Sequence, residues 1–451
     1  MKRLTCLRSI GRPLPRHRNY SFYPPPEPFH SPRASPPPSS NNRLGSKSSA
    51  TTPSISSLST FGATPSLLSS YLSIPQTQLT LSSLVNLGGG SPGVPPGDKE
   101  LLRSARFTAK ELPVRLARRV DQFRSLPFIV GSNPYISKIA KLYASSFDNL
   151  ASFPEIKTLQ DNDRFVELLD EMVASHAENI PTLARGFLEC KKYMPSTAIN
   201  VFLDGAIHSR IGIRLIAEQH LALSYAHKKK VSANPNCIGI IDTKVNAFEL
   251  IQSCGDFVSD LCESTLGVQP ELKIEGDREA TFVGVASHLT YCMIELLKNS
   301  FKATVEKHAK KQDAFYTSSS DNSHIPAVLI SIAKSPTHLS FRIRDQGGGI
   351  SPNDLPHIFK YTFTTTKKPN ENEDQESAGP YAMQNTGGGG GGEDLAALTG
   401  QPNSSVLSGL GYGLSMTKIY TDRGRGSMSI VSMYGYGTDT YMSIRKNPLK
   451  H

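Results

Sequence analysis

Glu295 and Asn299 stand four residues apart in Glu295-Leu296-Leu297-Lys298-Asn299, inside an apolar, helix-periodic run. On a helix that spacing puts a carboxylate and an amide on one face, one turn apart. A hard cation that keeps water and phosphate oxygens in its shell suits such a pair, and so does ordinary polarity on an amphipathic helix. A second set follows a strand-like run, where Phe341-Arg342-Ile343-Arg344 leads into Asp345-Gln346-Gly347-Gly348-Gly349-Ile350. An acid at a strand end can accept the exocyclic amine of adenine, while glycines let the backbone approach a planar base; three adjacent glycines equally suit a flexible turn. A third set is Gly409-Leu410-Gly411-Tyr412-Gly413-Leu414, running into Ser415-Met416-Thr417-Lys418-Ile419-Tyr420. A glycine loop entering a helix offers backbone N–H groups and the positive helix end to phosphate oxygens. It lacks the Gly-Lys-Ser/Thr ending of the Walker pattern, and a Rossmann fingerprint would follow an early strand. The ordered combination is more specific than any one of its parts.

Two kinds of element must hold these residues. Apolar residues recur at helical spacing over Leu112 to Leu126, Ile136 to Phe147, Phe165 to His176, Leu183 to Tyr193 and Thr197 to His227, separated by Pro and Ser/Asn/Gly clusters. Residues 101–233 therefore read as an all-α helical bundle. From about 234 to 446 the texture is mixed. Helices are expected over Phe248 to Leu261 and Phe282 to His308. Strands are expected at Glu271 to Ile274, Ala327 to Ile332, Leu339 to Arg344, Ser427 to Ser432 and Tyr441 to Ile444. Antiparallel strands mixed with helices predict an α/β sandwich with helices on one face of the sheet. Between the second and third glycine sets lies a 367–408 insertion that includes Gly387 to Gly392, whose later part can fold over a nucleotide as a lid.

The ends read differently. Lys2, Arg3, Arg8, Arg12, Arg16 and Arg18 precede the first acid at Glu27, the composition of a mitochondrial transit peptide over residues 1–20. From Pro28 to Gly97 there is no Asp or Glu, and Ser, Pro, Gly and Thr dominate. Such a tract buries too little apolar surface to offset the entropy of ordering, so residues 21–100 are expected to be disordered. Residues 447–451 form a short tail. No window approaches the roughly 18 to 20 apolar residues that cross a bilayer. The six cysteines show no paired metal-ligand spacing, and Cys254 and Cys262 read as small buried hydrophobes. The leader supplies part of the net charge of +10, so the charge is only a weak argument for a nucleic-acid partner, and none is expected.

Taken together, the three sets and Gly437-Thr438-Asp439 resemble the ATPase fold shared by gyrase, Hsp90-type chaperones, sensor histidine kinases and MutL-type repair proteins. Within it, the chain resembles the mitochondrial 2-oxoacid dehydrogenase kinases from about Phe107 to Arg445. Glu111-Leu112-Pro113-Val114-Arg115, Leu126-Pro127-Phe128-Ile129-Val130, Ser209-Arg210-Ile211-Gly212-Ile213-Arg214 and His220-Leu221-Ala222-Leu223 carry that likeness in the helical domain. The resemblance implies a Mg2+·ATP-dependent serine kinase of the mitochondrial matrix, with K+ as a further candidate cation. Its substrate would be the E1 alpha subunit of pyruvate or branched-chain 2-oxoacid dehydrogenase. It also implies docking on the E2 lipoyl domain, a homodimer formed through the sheet, and 2-oxoacid ligands in the helical domain. Glu295 then takes the general-base role, Asn299 the magnesium, and Asp345 the adenine, with Gly347, Gly349 and Thr438 around the base. Thr364 and Thr365 match the entry to the lid, and Gly409, Leu410, Gly411, Tyr412, Gly413 and Leu414 match the phosphate-facing loop.

Departures from the family pattern are local. Tyr291 replaces the histidine that pyruvate dehydrogenase kinases place four residues before the base. It either hydrogen-bonds the carboxylate or packs. Tyr291 and Thr364-Thr365 resemble the branched-chain form. Gln346 stands where arginine is common, and Thr421-Asp422-Arg423-Gly424-Arg425 makes an aromatic-rich helix end polar. Competing readings are a sensor histidine kinase, with His208, His220 or His227 as phosphoacceptor, an inactive scaffold on the dehydrogenase complex, and a chaperone-like or repair ATPase.

Overall fold

In the computed structural model, residues 65–230, 234–309, 325–361, 363 and 411–449 are described. All fall within one compact unit, 56–451. The transit peptide, the lid insertion 367–408, Thr364, Thr365, Gly409 and Leu410 lie outside the described residues.

The first helical run extends further than its periodicity indicates. Leu112 to Arg124 is the second half of the 27-residue helix α3 (Asp98–Arg124), which continues through Pro113 and ends two residues before Leu126. Leu112, Leu116, Val120 and Phe123 repeat on one stripe of α3 and are buried. They meet α5 (Pro134–Ala151) and α8 (Ser196–Lys229), while α6 (Leu159–Ser175) and α7 (Asn179–Glu189) close the bundle. The short helix α4 (Phe128–Gly131) makes the turn into α5. Each fully buried Leu or Phe in such a core stabilises by about 1.5–3 kcal/mol relative to exposure.

Disorder over 21–100 does not hold from Pro65 onward. Helices α1 (Pro65–Leu72) and α2 (Leu81–Leu87) lie on α3, with Leu68, Leu84 and Val85 buried. Thr80 and Ser83 form a capping box that starts α2. The linking backbone is held by α3 side chains: Arg118 Nη2 donates to the Ile74 carbonyl at 2.8 Å and Arg115 Nη2 to the Thr77 carbonyl at 2.7 Å. Glu111 accepts from the Thr77 N–H at 3.1 Å. Composition predicted no core here because the ordering groups belong to α3.

Beyond residue 234, β1 (Cys237–Ile238), β2 (Ile241–Asn246) and β4 (Thr281–Gly284) form a small antiparallel sheet. The expected helix from Phe282 is therefore corrected at its start. Residues 281–284 alternate in burial as a strand, and α10 (Ala286–Ala309) begins after Val285. The main sheet has the order β3-β5-β6-β8-β7, comprising β3 (Leu272–Gly276), β5 (Val328–Lys334), β6 (His338–Asp345), β8 (Gly437–Arg445) and β7 (Ser427–Met433). Its pairs are antiparallel except β3 with β5, which is parallel, a difference from the expected antiparallel set. Helices α9 (Ala247–Leu266), α10 and α11 (Gly413–Arg423) pack with it, covering Val328, Ile330, Phe341 and Ile343. No helix among the described residues is long and apolar enough to cross a membrane.

Candidate nucleotide and catalytic site

Residues 291–298 of α10 are buried on every side, because the helix is enclosed by the sheet, α9 and α11. Glu295 is 4 % exposed, too costly for a charge without a partner. Lys298, three residues on and equally enclosed, donates its Nζ to Glu295 Oε1 at 2.9 Å. The other carboxylate oxygen faces the start of α11, where a β-carbon at Gly413 would lie 2.3 Å from Glu295 Oε2. Gly413 is thus glycine because the carboxylate occupies that space. No side chain caps the α11 N-terminus, whose partial positive charge favours the nearby carboxylate. One turn beyond Glu295, Asn299 is exposed.

Asp345 ends β6 under a roof of donors. Its Oδ1 accepts from Gly347 N–H at 2.9 Å and Thr438 N–H at 3.2 Å, and its Oδ2 from Ser300 Oγ at 3.2 Å. Burial holds its carboxyl above the ordinary range, against the pull of these three bonds. The glycines serve the protein's own packing. A β-carbon at Gly347 would meet Ala303 Cβ of α10 at 2.4 Å, and at Gly349, whose φ is +72°, the Met433 carbonyl at 2.3 Å. The turn after Asp345 is therefore packed on α10 and the β7–β8 hairpin. That turn aims the Asp345 carboxylate.

The described part of the phosphate-facing loop is tied to the lid entry. Gly411 adopts φ +79°, and a β-carbon there would lie 2.2 Å from the Phe363 carbonyl, so the two flanks of the insertion meet. Tyr412 is buried against Tyr361 with rings 5.1 Å apart, so its side chain is core and the loop has only backbone to offer there. Leu414 likewise packs on the core. Tyr361 reaches the helical domain, its hydroxyl donating to Asp204 Oδ1 of α8 at 2.5 Å.

Tyr291 takes the packing alternative. Its hydroxyl donates to Met416 Sδ at 3.4 Å and its ring lies 5.3 Å from that of Tyr420, which corrects a direct hydrogen bond to Glu295. Burial and then the Glu295 charge push its phenol well above the usual range. Lys298 and Ser300, which hold the two carboxylates, were missed by sequence reasoning. Their signal was position, three residues after Glu295 and directly after Asn299.

Among the described residues, no group of three or more His, Cys, Asp or Glu side chains could hold a metal ion. The donor set fits Mg2+ in another way. The exposed Asn299 amide could supply one oxygen to a cation whose other ligands are phosphates and water. Of the candidate phosphoacceptors, His220 is wholly buried between Ser104 and Ser224, and burial pushes its imidazole down to about 4. His227 bonds the Pro96 carbonyl, and His208 is exposed on α8. Cys254 and Cys262 are buried, with thiols pushed up to about 12 and about 11 by burial.

Comparison with known proteins agrees with this geometry. Residues 78–242 match the family model described as mitochondrial branched-chain alpha-ketoacid dehydrogenase kinase, and residues 284–448 match the histidine kinase-, DNA gyrase B- and HSP90-like ATPase. The chain is 31 % identical over 380 residues to the mitochondrial pyruvate dehydrogenase (acetyl-transferring) kinase of Arabidopsis thaliana, covering 82 % of this chain and 91 % of that one. It is 26 % identical over 454 residues to the corresponding kinase of Schizosaccharomyces pombe, covering 84 % and 95 %. Against isozyme 3 of Homo sapiens it is 29 % identical over 356 residues, covering 76 % and 78 %. An ATPase domain joined to a matching helical domain, with relatives named as kinases over most of their length, makes this an ATP-dependent protein kinase, and the chain belongs to the mitochondrial 2-oxoacid dehydrogenase kinase family.

Proposed function

We propose that this kinase transfers a phosphoryl group from Mg2+·ATP to a serine of the E1 alpha subunit of a 2-oxoacid dehydrogenase in the mitochondrial matrix, and so inhibits that complex. The observation that carries the reading is Glu295, a buried carboxylate seated between Lys298 and the first residue of α11. A serine hydroxyl is a weak nucleophile, and the carboxylate accepts its proton as the oxygen moves toward phosphorus. Lys298 keeps the carboxylate oriented, and the backbone of Gly411 to Leu414 faces the phosphates. Asp345 accepts from the adenine amine, beside Gly347, Gly349 and Thr438. Magnesium, held by Asn299 when bound, neutralises phosphate charge. Thr364, Thr365, Gly409 and Leu410 complete the nucleotide site in this reading. Tyr291 is a positioning residue that acts through Met416 and Tyr420.

Pyruvate dehydrogenase is the first substrate to consider, because the relatives are named for it. The branched-chain enzyme is the second, favoured by Tyr291, by Thr364-Thr365 and by the description of the family model over 78–242. The helical domain docks the E2 lipoyl domain and takes 2-oxoacids. Buried Arg119 and Arg210, with guanidinium nitrogens lacking partners, support an anionic ligand there. Exposed Val431, Met433, Tyr434 and Tyr436 at the β7 edge support a homodimer through the sheet. The test is incubation with ATP and each purified E1, with its lipoyl-bearing E2, followed by localisation of phosphoserine. Phosphate on neither E1 would overturn the reading. Asn299→Ala is expected to weaken nucleotide binding at limiting Mg2+, and an unchanged titration would remove the metal role.

A further inference from the structure

A cavity of about 330 Å³ lies behind the catalytic helix, away from the nucleotide residues. Its walls come from the segment 78–84 that includes the start of α2, the β4–α10 region 282–292, 420–425 at the end of α11, the stretch from Met442 to Pro448 at and just after the end of β8, and Leu215 of α8. Most of the lining is apolar, including Leu79, Leu84, Phe282, Leu289 and Met442. Cys292, three residues before Glu295, is also part of the wall.

Charge enters at one side. Arg423, Arg425 and Arg445 line the cavity. Arg423 and Arg115 converge on Gly212 of α8, where a β-carbon would lie 2.9 Å from Arg115 Nη1 and 3.2 Å from Arg423 Nη2. Arg115 has Glu111 as its acid, whereas Arg423 donates to the His208 carbonyl at 3.4 Å and pairs with no acid among the described residues. Burial and the Arg115 charge both disfavour the Arg423 cation. His288, stacked on Tyr420 at 4.7 Å, completes this side. A half-buried guanidinium facing a second guanidinium, with no acid bonded to it, is stabilised by an anion that brings its own acceptor pair. The volume and apolar lining beside it suit an attached hydrocarbon.

We propose that this cavity binds a monocarboxylate with an apolar tail, the carboxylate on Arg423 with Arg425 at the mouth and the tail between Leu84, Leu289 and Met442. The ligand lies against the backs of α10 and α11, the two helices that carry Glu295 and the glycine loop. It is separate from the nucleotide residues, and its binding does not depend on the identity of the phosphorylated protein.

The test is calorimetric titration of the full chain, saturated with Mg2+·ADP, with decanoate and with uncharged decanol, below their aggregation limits. A diazirine-bearing decanoate then locates the site by peptide mapping. Expected results are one decanoate per chain, decanol at least tenfold weaker, and label on peptides containing 78–84 or 282–292. Arg423→Gln should weaken decanoate at least tenfold. Should that variant fold poorly, Arg425→Gln, at an exposed position, should weaken it about threefold, and Ser82→Phe should block the tail while leaving helix content unchanged. Equal affinity for decanol, label elsewhere on the chain, or decanoate binding that Ser82→Phe and Arg425→Gln leave intact would each overturn the proposal.

Discussion

The carboxylates of the ATPase domain and two arginines of the bundle treat burial differently, although the bundle also holds the paired Glu111 and Arg115. In the ATPase domain, Glu295 has Lys298, and Asp345 has three donors from α10, the glycine turn and β8. In the bundle, Arg119 leaves Nε and Nη1 without partners and Arg210 leaves Nε, with both residues almost fully enclosed. Burial pushes both guanidiniums below their usual range. An enclosed charge with its partners in place is organised before substrate arrives and needs no rearrangement at the moment of reaction. One without partners keeps an unmet demand that an external anion can fill. On the proposed reading, the difference separates a domain that does chemistry from one that responds to a ligand.

The sharpest way to break that contrast is Glu295→Gln. The amide keeps the shape against Gly413 and still accepts from Lys298, but it cannot take a proton. Phosphoryl transfer is expected to fall by about 10²- to 10⁴-fold, with ATP affinity nearly unchanged. Single-turnover assays and nucleotide titration measure the two separately. Loss of ATP affinity equal to that of Asp345→Ala would remove the general-base role. In Asp345→Ala the Ser300 hydroxyl and the Gly347 and Thr438 amides lose their acceptor, and the adenine loses its own. A cost of about 1–3 kcal/mol is expected, read as roughly tenfold to hundredfold weaker ATP binding. An equal loss of phosphoryl transfer at saturating ATP would show that Asp345 does more than hold the nucleotide.

How much of this was legible depends on where each partner sits in the chain. Asp345 and the glycines after it announce themselves, because the strand, the acid and the turn are contiguous. The bundle was legible too, since Leu112, Leu116, Val120 and Phe123 write their stripe at fixed spacing. The strand at 281–284 was absorbed into the helix that follows it, because Phe282 and Val285 extend an apolar run that helix and strand share. The fate of Tyr291 could not be read, since its partner Met416 is 125 residues away. Helices α1 and α2 were hidden for the same reason, being ordered by Arg115, Arg118 and Glu111 on α3. Glycine posed a subtler problem. At Gly347 and Gly349 the space a β-carbon would take is filled by α10 and Met433, neighbours that the local sequence does not name.

The bundle's buried histidines extend the comparison to pH. Burial pushes His176 and His220 down to about 4, with Arg210 and Arg214 adding to the effect at His176. Both are neutral in the folded protein at pH 7. Below about pH 6.5 the unfolded chain takes up protons that the folded chain refuses, so stability is full above that pH and declines toward pH 4. Between pH 7 and pH 5 each histidine is expected to remove about 2 kcal/mol. Chemical denaturation at the two pH values measures it. His220→Gln lowers stability at both but should shrink the difference by that amount, and an unaltered difference would place the sensitivity elsewhere.

The smallest expected effect lies where the two domains touch. Tyr361, next to the entry of the lid insertion, donates to Asp204 on α8, the helix that carries Arg210. Tyr361 also stacks on Tyr412, beside Gly413 and hence beside Glu295. A ligand that moves α8 therefore has a short route of packed groups to the glycine loop. Tyr361→Phe keeps the ring against Tyr412 and removes only the bond, as Asp204→Ala does from the other side by removing the acceptor. Each is expected to cost about 0.5–1.5 kcal/mol in the coupling between the domains, and the two together no more than one alone. The measurement is a double-mutant cycle on ATP affinity with and without an anion bound in the bundle. Additive losses would mean that the bond carries no signal and that the paired and unpaired charges belong to domains acting independently.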